Sequence, residues 1–146
     1  MATIWHEVWI EASAQMVYQT LSTAEGVSSW WDKQTAVQNG TGWVLESNPG
    51  PDHGVLKLKV LDLSKDKRIE WECISNHPKN SPASAWTGTH VIFEIARRSV
   101  PPWASNKSEM TILTFRHSHR DENSEYFGFC NFKWGEALQK LKRICE

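Results

Sequence analysis

"EYFGFCNFKWGEALQKLKRICE", residues 125–146, carries Phe127, Cys130, Trp134, Leu138, Leu141 and Cys145 at intervals of three or four. That spacing keeps one face apolar over several turns and predicts a long amphipathic helix. Its two halves differ. Tyr126, Phe129 and Phe132 lie off the main stripe in the first half, whereas Gln139, Lys140, Lys142 and Arg143 turn outward in the second. Aromatic crowding around the helix start therefore marks that half as the place for a pocket, and the rest as plain core.

Upstream of this helix the period is mostly two. In residues 3–12, Ile4, His6, Val8 and Ile10 fall on one face and Trp5, Glu7, Trp9 and Glu11 on the other, which predicts a first strand. Ser13 and Thr23 are side chains suited to cap two short helices, the first with Val17, Tyr18 and Leu21 inward, the second with Gly26 and the pair Trp30 and Trp31 at its end. Neighbouring helical residues diverge by about 100°, so the paired indoles are expected in different environments. Strands follow at 35–38, 43–47, 54–63, 68–75, 90–97 and 110–119, in sequence-adjacent antiparallel order. Residues 76–88 and 98–109, rich in Pro, Ser and Asn, read as long loops.

Strand, two small helices, a run of antiparallel strands and a long final helix make an α+β order in which a curved sheet wraps that helix. The 146 residues suit a single domain, 1–146, without repeat or linker. Sixteen basic residues against seventeen acidic ones, a net charge of -1, argue against nucleic acid or an anionic membrane surface as partner. No apolar run approaches the roughly 20 residues of a membrane helix. Neither a signal segment nor a disulfide framework is read from the N-terminus and the three scattered cysteines, so a cytoplasmic setting is expected.

The wording of the chain goes further. "IEASAQMVYQTLSTAEGVSSWW", "GTHVIFEI", "TILTFRHSH" and "NFKWGEALQKLKRICE" together resemble the START-like, or Bet v 1-like (SRPBCC), superfamily, and within it the group similar to the C-terminal domain of the activator of Hsp90 ATPase. The resemblance implies a helix-grip fold with an apolar cavity between sheet and long helix. It implies no single activity, since the superfamily includes carriers, cyclases and co-chaperone domains. The loops 76–88 and 98–109 look enlarged, and Trp86 and Trp103 on them are expected to narrow or plug the cavity mouth.

Residues for such a pocket are Trp30, Trp31, Trp71, Phe93, Phe127, Cys130 and Trp134, with His6 as the titratable group on the apolar face of the first strand. For each, ordinary core packing is the competing reading. Cys130 sits on an apolar stripe and reads as an inert thiol. Glu70 and Glu72 flank Trp71, so that an inward Trp71 leaves both acids in water. His117 and His119 read as one strand face at a hydrated strand end, two ligands being too few for a metal. No GxSxG, P-loop, dinucleotide or HExxH pattern occurs; no cofactor is expected, and catalysis is left open. The expected partner is a hydrophobic small molecule, with a homodimer or chaperone contact through outward Trp5 and Trp9 as the alternative.

Overall fold

The computed structural model describes all residues 1–146. The chain runs β1 (Ala2–Ile10), α1 (Ala14–Ser22), α2 (Ala24–Ser28), β2 (Thr35–Asn39), β3 (Gly42–Ser47), β4 (Leu56–Ser64), β5 (Arg68–Cys73), a 3-10 turn (Pro82–Ala85), β6 (His90–Ser99), β7 (Glu109–Arg120) and α3 (Phe127–Cys145). The seven strands form one antiparallel sheet in the order β1-β7-β6-β5-β4-β3-β2. It is the expected α+β helix-grip architecture: α3 lies in the curve of the sheet and buries Cys130, Trp134, Leu138, Leu141 and Cys145 against it. The helix is anchored at its far end, where Lys142 Nζ donates to the Trp9 carbonyl (2.7 Å) and the Glu146 carboxylate accepts the Glu11 N–H (2.9 Å). No helix is long and apolar enough to cross a membrane.

Both predicted caps are in place. Ser13 Oγ accepts the Met16 N–H (3.1 Å) and Thr23 Oγ1 the Gly26 N–H (2.9 Å), each satisfying a donor that a helix start leaves free. The two short helices then meet at a backbone-to-backbone contact. A Cβ on Gly26 would sit 2.1 Å from the Gln19 carbonyl oxygen and 2.8 Å from the Thr20 Cα. Gly26→Ala must push α2 off α1, and the expected cost is about 1–3 kcal/mol, toward the upper end because backbone cannot yield as a side chain does. Urea denaturation measures it, and an unchanged midpoint would show that the helices can part freely.

That close approach sets where the chain goes next. Trp30 Nε1 donates to the Thr20 carbonyl (2.8 Å), which carries its ring into the core, edge-on to Phe93. Trp30 and Trp31 occupy different environments as expected, but not through the helical divergence of neighbours. Helix α2 ends at Ser28, so the pair stands in the turn beyond it, and the two rings stack at 5.9 Å and 13°. Trp30 is buried and Trp31 half-buried.

Candidate functional site

Beneath the first half of α3 the interior is filled by indoles. Trp31 is the hub: it stacks on Trp30, on Trp71 of β5 (6.2 Å, 3°) and on Trp86 (5.9 Å, 22°), and leans on Trp134 of α3 (5.1 Å). Phe93 and Phe115 close the cluster from the sheet, 5.4 Å apart. Stacked and edge-to-face pairs at these spacings add to the area they bury. What stays open is a groove of about 290 Å³ at the edge of this cluster. Its back wall is Trp31, Trp86 and Trp134; Phe129, Cys130 and Lys133 of α3 form one side, and Pro49, His53, Ser81 and Pro82 the other. Apolar walls with a few polar groups are the ordinary makeup of a small-molecule site, and the volume is at the small end of the usual range of roughly 300–1,000 Å³.

Among the residues read from sequence, Trp31, Cys130 and Trp134 thus come together on the groove. Trp30, Trp71 and Phe93 lie behind them in the core. Phe127 is partly buried at the margin of the core, with the Arg120 guanidinium over its ring (5.9 Å), while His6 packs on Phe115 (5.9 Å) with its ring against Gly135 of α3. Trp86 stands where the enlarged loop was expected to plug the cavity, its Nε1 donating to Cys130 Sγ (3.5 Å). Trp103 does not. It is 80% exposed and stacks on Trp9 (5.8 Å), because β6 runs on to Ser99 and β7 starts at Glu109, and the shorter 100–108 connection between them folds onto β1.

His53 and Ser81 are groove residues that periodicity could not flag, since both sit in connections. His53 Nδ1 is 2.7 Å from Ser81 Oγ, which also accepts the Ala83 N–H as the cap of the 3-10 turn. Glu70 faces outward, paired with Arg68 (2.8 Å) and His90 (2.7 Å), opposite the buried Trp71. Burial pushes the Cys73 and Cys145 thiols up, which leaves them poor nucleophiles.

His117 is not at a hydrated strand end. Its ring is fully buried beside Trp86 (4.7 Å, edge-on), whereas His119, with a φ of 64°, leaves the strand alternation and is exposed. The two do not share a face. His117 Nδ1 accepts from Trp134 Nε1 (3.1 Å) and from the Arg120 guanidinium (3.1 Å). Its Nε2–H therefore donates to Thr89 Oγ1 (2.7 Å), whose hydroxyl passes on to the Trp86 carbonyl (2.5 Å). The imidazole is held neutral: burial first, and the Arg120 charge second, push its pKa well below the ordinary value.

A pH dependence follows with a definite sign. Below about pH 6.5 the unfolded chain protonates this histidine and the folded chain does not, so stability is full above that pH and falls as pH drops toward the folded value. Between about pH 6.5 and 5.5 the expected loss is on the order of 1 kcal/mol. His117→Gln, which keeps an acceptor and cannot titrate, should flatten that dependence. Equal slopes for the two proteins in urea unfolding across this range would refute the buried neutral imidazole.

An aromatic-lined groove between a curved antiparallel sheet and a long C-terminal helix defines a helix-grip protein of the START-like class. Residues 11–146 match the profile described as Activator of Hsp90 ATPase homolog 1-like protein, and the chain belongs to that family. Among solved structures it is similar to the Aha1 dimer from Colwellia psychrerythraea, at 28% identity and a TM-score of 0.74 over 100% of this chain and 97% of that one. A protein from Mesorhizobium loti shares the fold at 19% identity and a TM-score of 0.71, over 98% and 96% of the two chains. CalU16 from Micromonospora echinospora does so at 11% identity and a TM-score of 0.68, over 99% and 76%. No functionally curated protein matches the sequence.

Proposed function

We propose that this chain, acting as one domain of residues 1–146, binds a hydrophobic or aromatic small molecule in the groove between α3 and the 74–89 connection. The observation that carries the reading is the back wall, three mutually contacting indoles that a planar ring can extend. Cys130 and Lys133 give the site a soft edge and a charged rim. The one hydroxyl–imidazole pair on the groove, Ser81 with His53 (2.7 Å), caps the 3-10 turn and is joined by no set of oxyanion donors, so binding is favoured over turnover. The three free buried thiols suit a reducing, cytoplasmic setting.

Native mass spectrometry of the freshly purified protein, beside a denatured control, tests the reading together with tryptophan fluorescence. A small-molecule adduct lost on denaturation, or quenching by added aromatic compounds, supports it. A clean mass with no quenching rejects it.

A second reading has its own observation. Trp5 is 58% exposed on the outer face of the edge strand β1, with Arg116 over its ring (5.4 Å), and Trp103 continues the patch through Trp9, which carries Arg98 (5.0 Å). Contiguous exposed aromatics mark contact surfaces, and the Colwellia psychrerythraea relative is described as a dimer. Through this face the chain forms a homodimer, a chaperone partner being the competing occupant. Sedimentation of the protein and of Trp5→Glu decides between them: a dimer that dissociates in the variant supports self-association, and a monomer in both removes it.

A further inference from the structure

The polar end of the aromatic cluster is unusual. Arg120, the last residue of β7, is fully buried, and its Nε and Nη2 have no hydrogen-bond partner. No carboxylate stands within ion-pair distance; its protein contacts are the neutral His117 Nδ1 (3.1 Å) and the face of Phe127. A guanidinium offers five donors in a planar fork suited to a carboxylate. Here one donor is used, on a histidine. A cation stripped of water and given no counter-ion is costly to keep in a core.

Arg120 lies directly behind the groove. His117, which it contacts, is covered by Trp86 and Trp134, and both of those rings form the groove's back wall. Of the covering rings, Trp86 is the one carried by a connection. Trp134 is built into α3 and donates to His117 at 3.1 Å, whereas the indole N–H of Trp86 reaches only a weak acceptor, the thiol sulfur of Cys130 at 3.5 Å. Moving Trp86 aside gives up that weak hydrogen bond together with its stacking on Trp31 and Trp134, and it uncovers His117, on whose far side Arg120 stands.

We propose that the ligand is an aromatic carboxylate, its ring taking the place of the Trp86 indole against Trp31 and Trp134 and its carboxylate pairing with Arg120. The inference rests on the proposed small-molecule groove and adds the ligand's charge. The ring supplies the stacking that Trp86 gives up, and the anion supplies the counter-ion that the protein omits. Lys133, at the rim, is the other cation within the site and is the rival source of any preference for anions.

Two nearly isosteric probes separate these possibilities: 1-naphthaleneacetate and its neutral amide, titrated calorimetrically at pH 7.5 into the full chain, into Arg120→Met and into Trp86→Ala, with Trp86→Leu as a second opening variant. The expected result is a carboxylate bound about tenfold or more tighter than the amide by the unmodified chain, the worth of a charge-assisted pair. Arg120→Met should bring the ratio to about one while leaving amide affinity within about twofold. Both opening variants should tighten both probes and keep the preference. Equal binding of the two probes by the unmodified chain and the opening variants overturns the inference and leaves the aromatic groove standing. A preference that survives Arg120→Met assigns it to Lys133 and also overturns it. Absence of binding by either probe to any of the proteins rejects the groove reading and the inference together.

Discussion

Trp134→Ala is expected to destabilise the protein by about 3–5 kcal/mol, the range for emptying a buried aromatic site. The side chain is almost wholly buried and stands at the crossing of everything that fills the grip: Phe115 at 4.5 Å, Trp31 at 5.1 Å and Trp86 at 5.6 Å, with its N–H on His117. The neighbours cannot close over the gap. Trp31 and Trp86 are held by their own stacking, and Phe115 by the sheet, so the lost contacts and the residual cavity add. Trp134→Phe separates two parts of this cost, since it keeps most of the ring and removes the donor. It should lose about 1–3 kcal/mol, of which the missing hydrogen bond to His117 accounts for roughly 1 kcal/mol. Urea unfolding of the three proteins measures both numbers. A loss below about 1 kcal/mol for Trp134→Ala would mean that the indole does not hold the core together.

The parts of the fold that rest on periodicity were legible beforehand, and the parts that rest on crossings between connections were not. The stripe from Phe127 to Cys145 faces the sheet as its spacing requires, and the alternation in 3–12 put Ile4, Val8 and Ile10 inside. Ser13 and Thr23 cap because their short side chains fold back on the local backbone. Strand alternation also carried an unused signal at His117: it shares parity with Leu113 and Phe115, both buried. The polar run after residue 120 suggested a wet strand end and hid that parity. Arg120 had no signal at all. It turns inward only because His119 adopts a positive φ, a local break for which an ordinary residue gives little warning. The groove was half visible in the same sense. Cys130 and Trp134 belong to an element with a period and Trp31 to the turn just after one, whereas His53 and Ser81 meet at 2.7 Å across 28 residues of chain, through two connections without one. Trp86 and Trp103 looked equivalent in sequence, each on a long Pro- and Ser-rich loop. What separates them is position in the sheet: the 100–108 connection joins β6 to β7 and lays Trp103 on Trp9 of the edge strand, and the 74–89 connection joins β5 to β6 and lays Trp86 on Trp31.

Arg120→Met is expected to make the protein more stable, by about 1–4 kcal/mol, the gain seen when buried charges give way to apolar side chains of similar volume. Most substitutions of a fully buried residue go the other way. The sign follows from what Arg120 lacks: two of its nitrogen groups have no partner, and no acid neutralises it. Methionine has a comparable reach and enough flexibility to follow the same path over the Phe127 ring. His117 keeps Trp134 and Thr89 as partners, and burial still holds it neutral, so the acid-sensitive slope near pH 6 should persist in the variant. A fall in stability instead would show that the guanidinium is supported where it stands, and would take away the reason to look for an anion. A rise, together with loss of carboxylate binding, would place Arg120 among residues retained at a cost to the fold because the site uses them. A chain selected for stability alone would gain by filling this position with a methionine, and the unpaired charge at the closed end of an aromatic groove is the feature that packing does not explain.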